Sequence, residues 1–315
     1  MITIPERLRT KASNVGQGSR EWLADLPEVC RRLGDEWSLD LGSPYVGCHV
    51  SLVVTASRGP RRLVLKVPMP STVELGTLPA GARAAEADAL REWAGDGAVE
   101  LVEHDPATGA MLIERCVPGA SLDHLDNHDD ADRVAAEILG RLHRTGPHGP
   151  QFDRLADRAI QLAHALPARY VMAGAPFEQW LLDTAVESLG HLCQAGPSEV
   201  LLHGDFHLEN ILSAGREPWL AIDPLPMVGD RAYDAVQYLL FRMGDLADPT
   251  TEWAPAIAQF CVRLDLDPER VKAWTFARLV SDALAEYAQG RTILAELESR
   301  QGDLWSARLV HNLRE

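Results

Sequence analysis

The spacing of apolar and polar positions divides the chain into a mixed strand-and-helix front and a long helical remainder. Residues 1–36 repeat their apolar positions at helical spacing. Pro5 is placed to open a first helix. Ser19 is placed to cap a second, which runs through Trp22 and Leu26 and continues past Pro27 to Leu33. From residue 37 the pattern changes. Residues 37–41, 49–55 and 61–69 read as strands, with 42–47 and a turn at 57–60 between them, and three antiparallel strands make a small twisted sheet. Residues 80–93, rich in alanine and charge, read as a helix. Residues 99–105 and 109–114 read as two more strands joined at 106–108, and the second runs into Pro118 and Gly119, which end regular structure.

Residues 120–200 are expected to be mostly helical. Residues 130–143 place Val134, Ile138, Leu139 and Leu142 on one face. A turn follows at 147–150, then helices at 152–166 and 177–193, whose connecting loop 167–176 is expected to approach a substrate cleft. After residue 223 the pattern predicts a loop at 224–230 and a helix at 231–241 carrying Tyr233, Val236, Gln237 and Leu240. Further helices are predicted at 255–264, from Asp267 or Pro268 towards Ala288, at 292–299 and at 304–313. The chain has no internal repeat. It has no run of eighteen apolar residues, so no membrane span is expected.

The chemistry concentrates in residues 201–223, LLHGDFHLENILSAGREPWLAID. Asp205 and Asn210 lie five residues apart, and Asp223 ends the apolar run 219–222. A hairpin of 211–213 and 219–222, turning at 214–218, returns Asp223 to the edge that holds Asp205. Three oxygen-bearing side chains then share one end of a small sheet, the hard-ligand set that magnesium and phosphoryl transfer require.

HGDFHLEN followed by AID resembles the catalytic loop and metal-binding aspartate of the aminoglycoside phosphotransferases, relatives of the protein kinases. The wider stretch WLAIDPLPMVGDRAYD is similar to the streptomycin 6-kinase and hydroxyurea phosphotransferase branch of that family. The resemblance implies an α+β, bilobal, protein-kinase-like fold. A small antiparallel-sheet lobe, 1–115 with its helical extension, would bind nucleotide, and a mainly helical lobe, 116–315, would carry catalysis and the acceptor. It implies ATP and Mg2+ as cofactors. Asp205 would orient and deprotonate the acceptor hydroxyl, while Asn210 and Asp223 would hold magnesium.

Lys66 lies in the apolar run RRLVLKVPM, where period two puts it on the face of Val64. A buried ammonium needs a partner. Glu86 is the expected one, with Asp88 as its rival, and the resemblance also implies the Lys66–Glu86 pair, with Lys66 on the alpha and beta phosphates. By the same resemblance, SPYVGCHVS sits where kinases keep the loop over the phosphates, although with only Gly42 and Gly47 here a plain hairpin turn fits as well. Main-chain groups near Glu114 and Cys116 would take the adenine.

His203 is expected to brace Asp205 or Asp223, and His207 to brace or simply to pack. Asp230 and Asp234 are expected to fix loop backbone or cap the following helix, with contact to substrate as the alternative for Asp230. His143 reads as a helix-end histidine rather than a ligand. His203 and His207 also have zinc-pair spacing, but Gly204 is a poor helix residue and no third ligand or HExxH is present, which disfavours a metallohydrolase. The intact Lys66, Asp205, Asn210 and Asp223 set disfavours a catalytically inactive, kinase-shaped binding protein.

Composition narrows the partners. A formal charge of −16 argues against nucleic acid and suits a cationic small molecule. The resemblance implies a small-molecule acceptor such as streptomycin, while kinases of the same kind also act on simple sugars, amino sugars and choline-like or homoserine-like alcohols. Acids such as Asp245, Asp282 and Glu286 are candidates for holding amines. A protein substrate is disfavoured, because no long activation segment or APE-like stop follows Asp223. There is no GxxxxGK phosphate loop. Only three lysines, Lys11, Lys66 and Lys272, stand against 27 arginines. Five scattered cysteines and an N-terminus without a long apolar stretch predict reduced thiols and a cytoplasmic protein. Oligomeric state and the choice between ATP and GTP leave no mark in the sequence.

Overall fold

In a computed structural model, which describes residues 2–48, 50–70, 85–143, 148–194, 199–300 and 302–313, the front of the chain forms a five-stranded antiparallel sheet. Its strands are β1 (Asp40–Pro44), β2 (Ser51–Arg58), β3 (Arg61–Pro68), β4 (Leu101–Asp105) and β5 (Ala110–Glu114), in the order β1-β2-β3-β5-β4. Period two gives the central strands β2, β3 and β5 apolar residues on both faces, and both faces are covered. Helices α1 (Glu6–Val15) and α2 (Gln17–Glu36) cover one face, where Leu8, Leu26 and Leu33 pack on Leu52, Val54, Leu65 and Val67. Helix α3 (Glu86–Trp93) covers the other with Leu90 and Trp93 against Val64, Met111 and Ile113. That second core runs without a break into the helical part.

Three expectations for the front of the chain shift. The first strand begins at Asp40, because Trp37 still closes α2 through its N–H to the Leu33 carbonyl (2.9 Å). Ser19 caps nothing: α2 starts at Gln17, and the Ser19 hydroxyl is buried inside it without a partner among the described residues. The helix expected at 80–93 is described from Glu86 on. Residues 80–84 lie outside the described residues, as do His49 of the expected second strand and Pro147 of the expected turn.

The helical part holds α4 (His128–Leu142), α5 (Leu155–Met172), α6 (Gln179–Gln194), α7 (Ala232–Gly244), α8 (Pro249–Leu264), α9 (Pro268–Ala288), α10 (Leu294–Leu297) and α11 (Asp303–Asn312). Asn127, Asp248 and Asp267 cap α4, α8 and α9 with side-chain oxygens on first-turn N–H groups. Helix α9 is the axis: it packs on α5, α6, α7, α8 and α11, and residues on several of its faces are buried.

The loop expected at 167–176 is largely helix. Pro167 removes one hydrogen bond but does not end α5, because Tyr170 beyond it is buried, packs on Phe177 (5.1 Å between centroids) and donates its hydroxyl to the Phe177 carbonyl. In α8, likewise, Pro255 lies inside a helix that begins at Pro249.

The loop expected at 224–230 contains a strand, β10 (Met227–Gly229). It pairs antiparallel with β7 (Val200–Leu202) and parallel with β6 (Asp153–Arg154). Three residues after Pro226 are too few to show a period, so only the distant partners define this strand. Strands β8 (Ile211–Ser213) and β9 (Trp219–Ala221) form the expected hairpin. Ala221 donates to the Gly97 carbonyl (2.9 Å) and accepts from Val99 N–H (3.1 Å), which ties the hairpin to the segment entering β4.

Candidate active site

The site is built on one backbone constraint. Strand β7 ends at Leu202, and the chain turns sharply at Gly204, whose φ is +77°. A Cβ at that position would lie 2.0 Å from the Leu225 carbonyl oxygen, so only glycine lets the two strand ends approach this closely. Around the turn, His203 works at several points. Its carbonyl accepts from Leu225 N–H (2.8 Å), its Nε2 lies 3.0 Å from the Ile222 carbonyl, and its Nδ1 accepts from Asp205 N–H (3.3 Å). Nδ1 is thus the acceptor and Nε2 carries the proton. One imidazole braces both the turn that holds Asp205 and the strand end that holds Asp223. Complete burial lowers its pKa against the pull of Asp234 and Asp205, which keeps the ring neutral. With both ring nitrogens engaged, His203 has none for zinc.

Asn210 closes the loop. Its Nδ2 donates to the Asp205 carbonyl (2.9 Å) and carboxylate (3.3 Å), and its own carbonyl accepts from Ile222 N–H (2.9 Å). Asp223 follows with φ +55°, a left-handed value unusual outside glycine that turns its carboxylate towards the cleft. Its Oδ1 lies 3.0 Å from Lys66 Nζ. Lys66 also bonds both oxygens of Glu86, at 2.6 and 2.9 Å. The rival Asp88 pairs with Arg91 on the surface instead. Lys66 and Glu86 are 5% and 4% exposed, so the pair stands in nearly dry surroundings. Burial alone would lower the lysine pKa, but the charges of Asp223 and Glu86 outweigh it and raise it above the usual ammonium value.

The four principal residues foreseen from sequence therefore converge, as does Glu86. His207 packs: it stacks flat on Phe241 (4.5 Å, 12°) with Nε2 3.9 Å from Asp205. Asp230 does not face the cleft chemistry. It accepts from Arg270 (2.6 and 2.8 Å), Trp274 (2.9 Å) and Ala232 N–H (3.0 Å), which fixes the start of α7 to α9. At the strand exit, Glu114 N–H is taken by the Glu100 carbonyl (2.9 Å) and its side chain by Arg216. The main-chain groups of Cys116 take no partner among the described residues.

Two residues mattered more than their sequence context indicated. Asp234 is fully buried and accepts from His203 N–H (2.8 Å) and Gly204 N–H (2.7 Å), so its carboxylate carries the turn from beneath. His143 at the end of α4 supports it, Nε2 to Oδ2 at 2.9 Å. Trp93, in the helix of Glu86, stacks on His203 (6.2 Å, 12°) and donates to the Leu142 carbonyl (3.0 Å). No motif marks these links, because they join residues 30 to 110 positions apart. The acids on α9 and α11 also sort themselves. Asp282 and Glu286 lie near Asp303, whose carboxyl is pushed up to about 6 by burial and by those two charges. Arg278 pairs with Asp282 (3.2 Å). Asp245 instead borders a separate pocket with Asp123, Asp126 and Arg242.

A small antiparallel sheet with a buried lysine–glutamate pair, set against a helical body that carries the HGD turn, is the architecture of the protein-kinase-like small-molecule kinases. The Plasmodium vivax ethanolamine kinase superposes with a TM-score of 0.62 at 14% identity, over 98% of this chain and 95% of that one. Residues 55–297 match the family described as aminoglycoside/hydroxyurea antibiotic resistance kinase, and the chain belongs to that family. It is 32% identical to streptomycin 6-kinase of Streptomyces griseus over 299 residues, 93% of this chain and 94% of the relative. It is 33% identical to hydroxyurea phosphotransferase of Kitasatospora aureofaciens over 305 residues, 95% of this chain and 84% of the relative. The protein is a small-molecule kinase. Among the described residues no helix is long and apolar enough to cross a membrane.

Proposed function

We propose that this kinase transfers the terminal phosphate of ATP, with Mg2+, to a hydroxyl of a small cationic acceptor of the streptomycin type. The observation that carries the reading is the meeting of Lys66 with Glu86 and Asp223 within 3.0 Å, across from Asp205 and Asn210. Lys66 would hold the alpha and beta phosphates, and Glu86 keeps its ammonium extended and charged. The main chain at Glu114 and Cys116 would take adenine between the lobes 1–115 and 116–315, with the Cys116 groups open for that purpose.

Asp205 would orient the acceptor hydroxyl and receive its proton late in the transfer. Its carboxylate is about one-third exposed, so it can reach an acceptor. Asn210 and Asp223 fit magnesium. The Asn210 amide nitrogen is spent on Asp205, which leaves the amide oxygen for a hard cation, and the Asp223 side chain is half-exposed. When bound, the metal neutralises phosphate charge. The chain's own part is to align the groups and exclude water.

A cationic acceptor is favoured by Asp282, Glu286 and Asp303, three carboxylates gathered between α9 and α11. Streptomycin bears two guanidinium groups and suits them. The hydroxyurea relative supports a second reading, transfer to a small neutral hydroxyl compound. Incubation of the protein with ATP, Mg2+ and a panel of streptomycin, amino sugars, hydroxyurea and simple polyols, read by mass gain of the acceptor, tests both. An 80-Da gain on streptomycin that is lost in Asp205→Ala is the expected result. Full transfer by Asp205→Ala would refute the assignment of the site.

A further inference from the structure

Between α5, α6, α9 and the start of α7 lies a cavity of about 40 Å³. Much of its wall is apolar, but five side chains bring polar edges or aromatic surface: Arg158, Tyr233, Trp274, Arg278 and Ser281. Arg158 is 9% exposed and Ser281 2% exposed. The Nε and Nη1 of Arg158 and the hydroxyl of Ser281 are buried with no partner among the described residues. Each guanidinium has its charge answered elsewhere, Arg158 by Asp153 and Arg278 by Asp282. What the cavity lacks is therefore hydrogen-bond acceptors, not counter-charge. Buried donors left unpaired are costly, so a group that satisfies them is bound selectively.

The cavity also adjoins the chemistry. Arg278 lines it and pairs with Asp282 at 3.2 Å, and Met227 lines it with its Cε 3.4 Å from where a Cβ on Gly204 of the turn would sit. The geometry points to a second acceptor subsite. The carboxylates of α9 and α11 take the cationic end of the acceptor. This cavity takes a neutral oxygen-bearing substituent, a carbonyl or hydroxyl, on Arg158 and Ser281. A second ammonium is excluded because the unpaired groups of Arg158 are themselves donors and give its N–H groups no acceptor. A carboxylate is disfavoured because it would bring an uncompensated charge into a mostly apolar wall. The inference rests on the phosphotransferase reading above. It adds that the acceptor is read at two ends of opposite chemistry.

The test uses the full chain and the first compound of the panel to which the wild type transfers phosphate, streptomycin being tried first. Three variants are compared: Ser281→Ala removes the hydroxyl, Ser281→Leu fills the space, and Arg158→Met removes the unpaired donors while Asp153, half-exposed, stays hydrated. Acceptor KM is expected to rise three- to ten-fold in Ser281→Ala and at least ten-fold in the other two, with ATP KM within two-fold of wild type. Thermal melts establish that each variant is folded, and Ser281→Ala serves if Ser281→Leu is not. An acceptor KM unchanged within two-fold in folded Arg158→Met and either Ser281 variant would overturn the subsite and leave the cavity as a place for ordered water. If the wild type phosphorylates nothing in the panel, the phosphotransferase reading itself fails and the subsite falls with it.

Discussion

Asp234 offers the sharpest test of how the catalytic turn is held. The change Asp234→Asn keeps shape and volume but replaces one of two acceptor oxygens by an NH2 group. In the native protein those oxygens receive His203 N–H at 2.8 Å, Gly204 N–H at 2.7 Å and His143 at 2.9 Å. The amide can serve only one side. If its oxygen faces Gly204, its NH2 opposes the His203 N–H; if it faces His203, the conflict moves to Gly204. One buried N–H is left unpaired, at about 1–3 kcal/mol, and the remaining bonds lose their charge assistance. The expected loss of stability is about 3 kcal/mol, measured by urea denaturation.

Asp205 directly follows that turn, and a displacement of about 1 Å at a reacting group costs about 100-fold in rate. A fall of kcat of that order with ATP KM little changed is therefore expected. The pH dependence has a definite sign. Burial alone would raise the Asp234 carboxyl, but the hydrogen bonds from His143 and from Gly204 N–H hold it below its ordinary value. Its contribution is complete above about pH 4 and is lost as pH falls through the folded value, so wild type and variant converge in acid. A variant within 1 kcal/mol of wild type at pH 7, with kcat within two-fold, would refute this account of the turn. In a double-mutant cycle with His143→Ala, coupling above about 0.5 kcal/mol is expected, as for two residues in one network.

Two further outcomes follow from the same geometry. Gly204→Ala must place a Cβ against the Leu225 carbonyl at a positive φ, so a loss of at least about 3 kcal/mol and of nearly all transfer is expected by denaturation and assay; a variant of near-native stability would contradict it. Asp303 has the opposite sign to Asp234. Its carboxyl rises from 3.8 to about 6, so ionisation removes stability from about pH 4 to pH 6 and the penalty persists above. Asp303→Asn is expected to melt higher than wild type at pH 8, by an amount on the order of 2 kcal/mol, and equally at pH 3.5. The KM of a cationic acceptor is expected to fall as pH rises through about 6 in wild type and to lose that dependence in Asp303→Asn; identical profiles would remove Asp303 from the acceptor site.

Much of the site was legible because its chemistry is local. HGDFHLEN and AID put Asp205, Asn210 and Asp223 on a turn and the end of a hairpin within 19 residues, and the hairpin returned them to one edge as the spacing required. Lys66 was legible for a different reason: a charge inside an apolar strand must find a partner, and period two indicated its face. The expected choice of Glu86 over Asp88 also held, although spacing alone did not force it. Both open the same helix, and only the packing of α3 on the sheet turned one inward and left the other with Arg91.

Helix ends at Pro167 and Pro255 were misjudged because proline's local cost was outweighed by the burial of what lies beyond it. Strand β10 could not be read at all, since three residues have no period and its identity comes from pairing with Val200–Leu202, some 27 residues earlier. By itself, then, the sequence determined which polar groups meet at the candidate site and that His203 and Asp234 brace it, because those groups lie at short spacing in one stretch. The tertiary structure alone decided which atoms the braces grip. Asp234, His143 and Trp93 act across long chain separations, and contacts of that kind are set by packing rather than by any neighbour along the chain.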